Sequence, residues 1–210
     1  MPPTAHEGLD RFLKSAAFSV LCFVIWAVLG VPRILALIKN PSIMEAVWVL
    51  YHTQIALLFL IRSRPSYVST KPIHWLIALI ASFSGFFFAS TPTAGPSANV
   101  VGDALILIGL LGSGLSGLAL QRRYDFLPAL RGVSTGSVYA YVRHPMYLFA
   151  LVIRVGYVLK HPSLYNLGTY LVLVGLYAVR ARFEEQIMLR DPRYEDYMAR
   201  VRWRFVPGVY

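Results

Sequence analysis

Residues 141–147 read Tyr-Val-Arg-His-Pro-Met-Tyr, and a Glu184-Glu185 pair follows one membrane-length hairpin later. An arginine, an imidazole and two carboxylates gathered at one membrane surface suit recognition of a small charged molecule. A carboxylate would hold a cationic group, and a helix start would receive an anionic one. Ionisable groups at the depth or edge of a bilayer are costly to keep there, which makes them functional-site candidates. Pro145 suits the first turn of a helix, where its missing N–H would have had no partner. His144 would stand immediately before that helix, whose early amides and dipole attract a carboxylate. The plainer reading of the same residues is a capped helix start with interfacial Arg143 and Tyr147 anchors.

Arg180 and Glu184 are four apart, so they share a helix face and can simply pair in water. Alternatively, one carboxylate of the pair turns inward to a cationic ligand group. Arg154 lies within an apolar block, seven residues after Tyr147 on about the same face. It is expected to face the bundle interior, either binding an anionic group on a ligand or pairing with Glu45. Glu45 and His52, also seven apart, either line an acceptor cavity, or His52 is simply a satisfied buried histidine. Asp125, following Arg122-Arg123, reads as a local ion pair, and Gly109, Gly112, Gly114 and Gly117 read as a close-packing face.

The elements that must position these groups are apolar. Of 210 residues 57% are hydrophobic and 14% charged, with a mean hydropathy of +0.56, whereas a soluble domain carries roughly a quarter charged residues. The expected fold is all-α: one polytopic membrane helical bundle of about five to six spans, with a C-terminal helical hairpin and an amphipathic cytoplasmic tail. Residues 1–121 supply the N-terminal spans and residues 122–210 carry most of the charged candidate residues. A helical span takes roughly 20 apolar residues, and six blocks approach that. They are Ser15–Gly30, which can continue past Pro32 to Ile38, then Ile43–Ile61, Ile73–Ser90, Val100–Leu120, Met146–Leu159 and Leu164–Val179. The last two are short, separated by four residues, and form a tight hairpin. The first reads as a retained span rather than a cleaved leader.

The net charge of +10 does not imply nucleic acid, because basic residues cluster beside apolar spans. With the N-terminus cytoplasmic, Arg11, Lys14, Arg62, Arg64, Lys71, Arg122, Arg123, Arg131, Arg143 and seven tail arginines face inward. Arg33, Lys39 and Lys160 face outward, a clear positive-inside asymmetry. Both termini, the Arg-His-Pro step and the Glu pair are thus expected at the cytoplasmic face. In the tail, Asp191-Pro192 restarts a helix, and Tyr194, Tyr197 and Val201 share one face. Arg200, Arg202 and Arg204 interleave with Trp203 and Phe205, as in a helix lying among lipid head groups. The single Cys22 excludes an intrachain disulfide and a cysteine-built zinc site.

The stretch Leu130–Tyr147 (LRGVSTGSVYAYVRHPMY), the Glu184-Glu185 pair and the ending Tyr194-x-x-Tyr197, Val201-x-x-x-Phe205-x-Pro207 resemble the isoprenylcysteine carboxyl methyltransferase family. Phospholipid N-methyltransferases are similar over the same region. The resemblance runs from Arg122 to Pro207. It implies a membrane enzyme that uses S-adenosyl-L-methionine to methylate a lipophilic small-molecule or lipid acceptor at a carboxylate, thiol or amine. The implied cofactor residues are Arg131, Gly132, Val133, Ser134, Tyr139, His144, Pro145, Met146, Tyr147 and Glu184. Arg180 falls where the family places an arginine near the acceptor, and Arg143 joins it as a catalytic candidate. Two departures stand out: residues 135–138 read Thr-Gly-Ser-Val where Thr-Ser-Gly is frequent, and the connection from Glu185 to Tyr194 is short. The short connection leaves Glu184 and Glu185 both open as the cofactor carboxylate. Two other readings are an NADPH-dependent sterol-reductase-like enzyme, which also carries a His-Pro-x-Tyr step, and a non-enzymatic lipid-binding protein.

Overall fold

The computed structural model describes residues 5–209. Eight helices follow in order: α1 (Ala5–Leu13), α2 (Ala16–Lys39), α3 (Ile43–Ile61), α4 (Pro72–Ser82), α5 (Pro96–Leu120), α6 (Pro145–Lys160), α7 (Leu164–Met188) and α8 (Arg193–Arg200). Their starts are written in the sequence. Ser15, Ser42 and Ser163 cap α2, α3 and α7 by accepting from the amides of Phe18, Glu45 and Asn166, while Pro72, Pro96 and Pro145 occupy the first turns of α4, α5 and α6. Both devices deal with the unpaired amides of a helix start.

Among the described residues, four helices are long and apolar enough to cross a membrane: Ala16–Lys39, Ile43–Ile61, Pro96–Arg123 and Leu164–Met188. Helix α2 continues through Pro32. The block expected over Ile73–Ser90 instead stops at Ser82 and closes with a 3-10 turn over Ser84–Phe87. The reason lies on α7, where Arg180 donates to the Ala78 carbonyl at 3.2 Å and Tyr177 to the Ala81 carbonyl at 3.3 Å. These side chains receive the last carbonyls of α4. Helix α6, with 16 residues, is also shorter than a full span, so four helices have full span length and the expected count of five to six rests on the two short ones.

Apolar side chains on the outside are largely exposed, among them Val28 (61%), Leu50 (67%) and Leu118 (57%), as suits surfaces solvated by lipid rather than water. Inside, α5 and α6 pack most closely. A Cβ at Gly156 would sit 2.5 Å from the Gly102 carbonyl oxygen, and one at Gly109 would sit 2.8 Å from that of Phe149, so small residues set this approach.

At the end that carries the site, the links between helices interlock. Tyr67–Val68 (β1) pairs antiparallel with Ala129–Leu130 (β2), Tyr67 opposite Leu130, a small ladder inside an otherwise helical fold. At the other end, the fully buried Asn166 side chain accepts from the Ala89 amide and donates to the carbonyls of Ala89 and His161. This bond set fastens the α6–α7 turn to the segment that follows α4.

Candidate active site

The start of α6 and the end of α7 meet, as the hairpin reading requires. Glu185 is buried and meets two guanidinium groups and an imidazole: Arg143 Nε at 3.0 Å, Arg204 Nε at 2.9 Å and His144 Nε2 at 3.2 Å. Two backbone bonds run beside this cluster, from the Arg143 amide to the Trp203 carbonyl and from the His144 amide to the Arg204 carbonyl, each 2.9 Å. Residues 201–204 therefore lie extended against the α6 start. The helix expected through Arg202 and Arg204 ends at Arg200, because this stretch spends its carbonyls on residues 143 and 144.

Glu184 plays a different part. Its Oε1 accepts from the Tyr147 hydroxyl and from Arg180 Nε at 3.0 Å. Its Oε2 has His144 Nδ1 at 3.9 Å. The two neighbouring carboxylates thus separate: Glu185 is enclosed by protein cations, and Glu184 borders a cavity. The amides of Tyr147 and Leu148 both close onto the His144 carbonyl, which leaves fewer early α6 amides for a ligand than the bare sequence suggests.

That cavity collects nearly every residue singled out above. Its polar mouth is lined by Arg131, Gly132, Val133 and Ser134 from the loop after β2, by Tyr139 from a short 3-10 turn, and by Arg143, His144, Met146, Tyr147, Arg180 and Glu184. Pro145 does not line it; the residue is fully buried and shapes the helix start. Gly132 has φ +92°, a left-handed backbone for which glycine is the natural residue. Ser134 Oγ donates to the Ala119 carbonyl at 3.0 Å. Arg131 binds Asp125 through Nε at 3.1 Å and a second nitrogen at 2.6 Å, and Arg62 adds a third bond to Asp125 at 2.8 Å. The expected local pairing of Asp125 with Arg122-Arg123 is therefore replaced by a buried link to two more distant arginines. Burial presses Arg131 below the usual guanidinium range, and the Asp125 charge opposes this.

The wall next to the tail is aromatic. Tyr194, Tyr197 and Val201 are buried together with Val133 and Met188, the single face expected of this segment. The Tyr197 hydroxyl donates to the Tyr139 carbonyl at 2.7 Å. Burial pushes the Tyr139 phenol well up from its ordinary range, and the neighbouring Tyr197 and Glu184 add to the shift. Tyr147 lies between His144 and Tyr177, with ring centroids 5.4 and 4.9 Å away, and the Arg180 guanidinium stands 5.0 Å from its ring centre.

Arg180 is saturated by protein. Nε reaches Glu184, one terminal nitrogen reaches the Ala78 carbonyl and Ser82 Oγ, and the other reaches the Phe126 carbonyl at 2.6 Å. Arg154 does face the interior and the cavity, but the Glu45 pairing fails because Arg33 takes Glu45 at 3.4 Å. His52 bonds the Trp48 carbonyl at 2.9 Å and stacks on Trp26. It is a satisfied packing histidine and does not border the cavity. The deep end is built instead by Trp26, Trp48 and Tyr51, which sequence reasoning did not single out. The spacing of Trp48 and Tyr51, three apart on one helix face, was the available signal.

No curated protein matches the chain. Residues 98–192 match the family described as phospholipid methyltransferase, a segment running from the start of α5 through the α6–α7 hairpin to the residue before α8. It contains both the Arg-His-Pro step and the Glu pair. Over this segment, a little under half of the chain, the sequence is similar to the phospholipid methyltransferase family.

Proposed function

We propose that the protein uses S-adenosyl-L-methionine to methylate a lipophilic acceptor that reaches the cavity from the bilayer, with the cofactor at the cytoplasmic face. The similarity of residues 98–192 to the phospholipid methyltransferase family supports the reaction class. The observation that carries the cofactor assignment is the uneven use of Glu184, whose Oε1 holds two protein donors while, among the described residues, Oε2 keeps only a 3.9 Å contact with His144. Such a carboxylate, oriented and still able to accept, suits an ammonium group. Glycine backbone at Gly132 and the Tyr139 and Tyr147 rings complete a lining that fits an amino-acid nucleotide.

When bound, the cofactor would supply an electrophilic methyl on a sulfonium, with a neutral thioether as the leaving group. The residues of the chain then have limited tasks. Glu184 fixes one end of the cofactor, and Arg180 and Tyr147 fix Glu184. Glu185 with Arg143 and Arg204 holds the tail over the cavity and excludes water, so donor and acceptor meet in a defined orientation. An aromatic face beside a cation adds about 0.5–2 kcal/mol. The basic end of the bundle carries this site, which supports a cytoplasmic orientation for both termini.

Calorimetry in detergent tests the reading. S-adenosylhomocysteine should bind, and NADPH should not. Binding of NADPH in place of S-adenosylhomocysteine would favour a reductase, and binding of neither would remove the enzymatic reading.

A further inference from the structure

Arg154 is the tenth residue of α6, about 14 Å along the helix from its start, so its charge lies deep among apolar spans. A cation at that depth normally has a carboxylate partner. Here the nearby acids are committed elsewhere: Glu45 to Arg33, Glu184 to Arg180, Glu185 to Arg143 and Arg204, and Asp103 to Lys160. Among the described residues no acid lies within ion-pair distance of Arg154. Its contacts are one long hydrogen bond to Ser84 Oγ at 3.4 Å and the Phe88 ring, whose centre is 5.5 Å away. Its Nε is buried with no acceptor. Space is also kept for it, since a Cβ at Gly85 would stand 3.2 Å from a terminal nitrogen. Arg180, one layer nearer the mouth, contrasts directly, because each of its three nitrogens donates to protein.

We propose that this deep end of the cavity binds an anionic oxygen group, carboxylate or phosphate, carried by the lipophilic acceptor, with Arg154 as its anchor. The acceptor identity rests on the methyltransferase reading; the anion site itself does not. Trp26, Trp48 and Tyr51 give the apolar remainder of such a molecule an aromatic wall, and a forked guanidinium with unfilled donors matches a two-oxygen anion. The site is separate from Glu184, because Arg154 stands two helical turns beyond Tyr147.

The test uses the full chain in phosphatidylcholine nanodiscs with 11-(dansylamino)undecanoate as probe, displaced by dodecanoate, dodecyl phosphate, dodecanol or dodecylammonium. Wild type should favour one of the two anions over dodecanol at least ten-fold, and the stronger anion identifies carboxylate or phosphate as the natural group. Arg154→Gln should abolish the preference. Ser84→Asp should do the same by supplying an internal partner to the guanidinium, and this variant has no unpaired buried charge to unfold it. S-adenosylhomocysteine affinity should stay within two-fold in both variants. An anion preference that survives both substitutions, or is absent from wild type, overturns the proposal. So does a ten-fold loss of S-adenosylhomocysteine affinity in Arg154→Gln, which would give the arginine to the cofactor. Failure of wild type to bind S-adenosylhomocysteine defeats the methyltransferase reading alone, since the anion preference is read without it.

Discussion

Replacing Glu185 by alanine should unfold the site, whereas replacing Glu184 by glutamine should empty it. The Glu185 carboxylate is 5% exposed and faces Arg143, 7% exposed, and Arg204, 25% exposed. Removing one partner of a buried ion pair costs about 3–5 kcal/mol because the other charge stays desolvated. Partial exposure of Arg204 places Glu185→Ala near the lower end, about 3 kcal/mol, after allowance for solvent screening. For a chain of this size that lowers the melting temperature by about 6–12 °C. Cys22 is the single cysteine and is buried in the first core, so a thiol-reactive dye reports the melt directly. In Glu184→Gln the amide oxygen still accepts from Tyr147 and the charge-assisted bond to Arg180 weakens, for a loss of about 1–2 kcal/mol. S-adenosylhomocysteine affinity, by contrast, should fall at least ten-fold. The reasoning is refuted if Glu185→Ala melts within 2 °C of wild type, or if the two variants exchange phenotypes.

Other outcomes follow from neighbouring contacts. Asp125→Asn strands two buried guanidiniums, Arg62 and Arg131, at 1% and 2% exposure; it should cost about 3–5 kcal/mol and weaken S-adenosylhomocysteine binding through Arg131, as the thiol melt and calorimetry will show. Gly156→Ala forces α5 and α6 apart at Gly102 and should cost about 1–3 kcal/mol, again read by the thiol melt. Burial raises the phenols of Tyr139, Tyr194 and Tyr197 above the ordinary value of 10.0. Above that pH the unfolded chain releases protons that the folded chain retains, so stability should fall as pH rises, by about 1.4 kcal/mol per unit for each phenol. Tyr194→Phe should flatten this alkaline slope in denaturation curves between pH 10 and 11, and an unchanged slope would contradict its burial.

What the sequence disclosed was the pattern carried by short-range chemistry. Serine and proline helix starts, the Tyr194–Tyr197–Val201 face and the meeting of His144 with the Glu pair all follow from spacing and topology. What it concealed depends on partners far along the chain. Nothing near Ser82 predicts that α4 stops there, because the stopping groups, Tyr177 and Arg180, belong to α7. The different tasks of Glu184 and Glu185 are decided by Arg204, which reaches Glu185 only because residues 201–204 run extended. Asp125 shows the same effect, bypassing adjacent arginines for Arg62. The aromatic floor from α2 and α3 was hidden by its resemblance to ordinary span composition.

The brevity of α4 has a consequence for the surrounding bilayer. Ile73, Leu76 and Leu79 form its outward stripe, and Phe86 and Phe87 extend it through the 3-10 turn. Even counted as continuous helix, Pro72–Phe87 reaches only about 24 Å, against a hydrocarbon layer of roughly 30 Å. Acyl chains along this flank must shorten or splay to meet it, a local hydrophobic mismatch. A bilayer of that thickness would have to thin beside Leu79 and Phe87, which makes membrane thickness part of the environment in which the protein works.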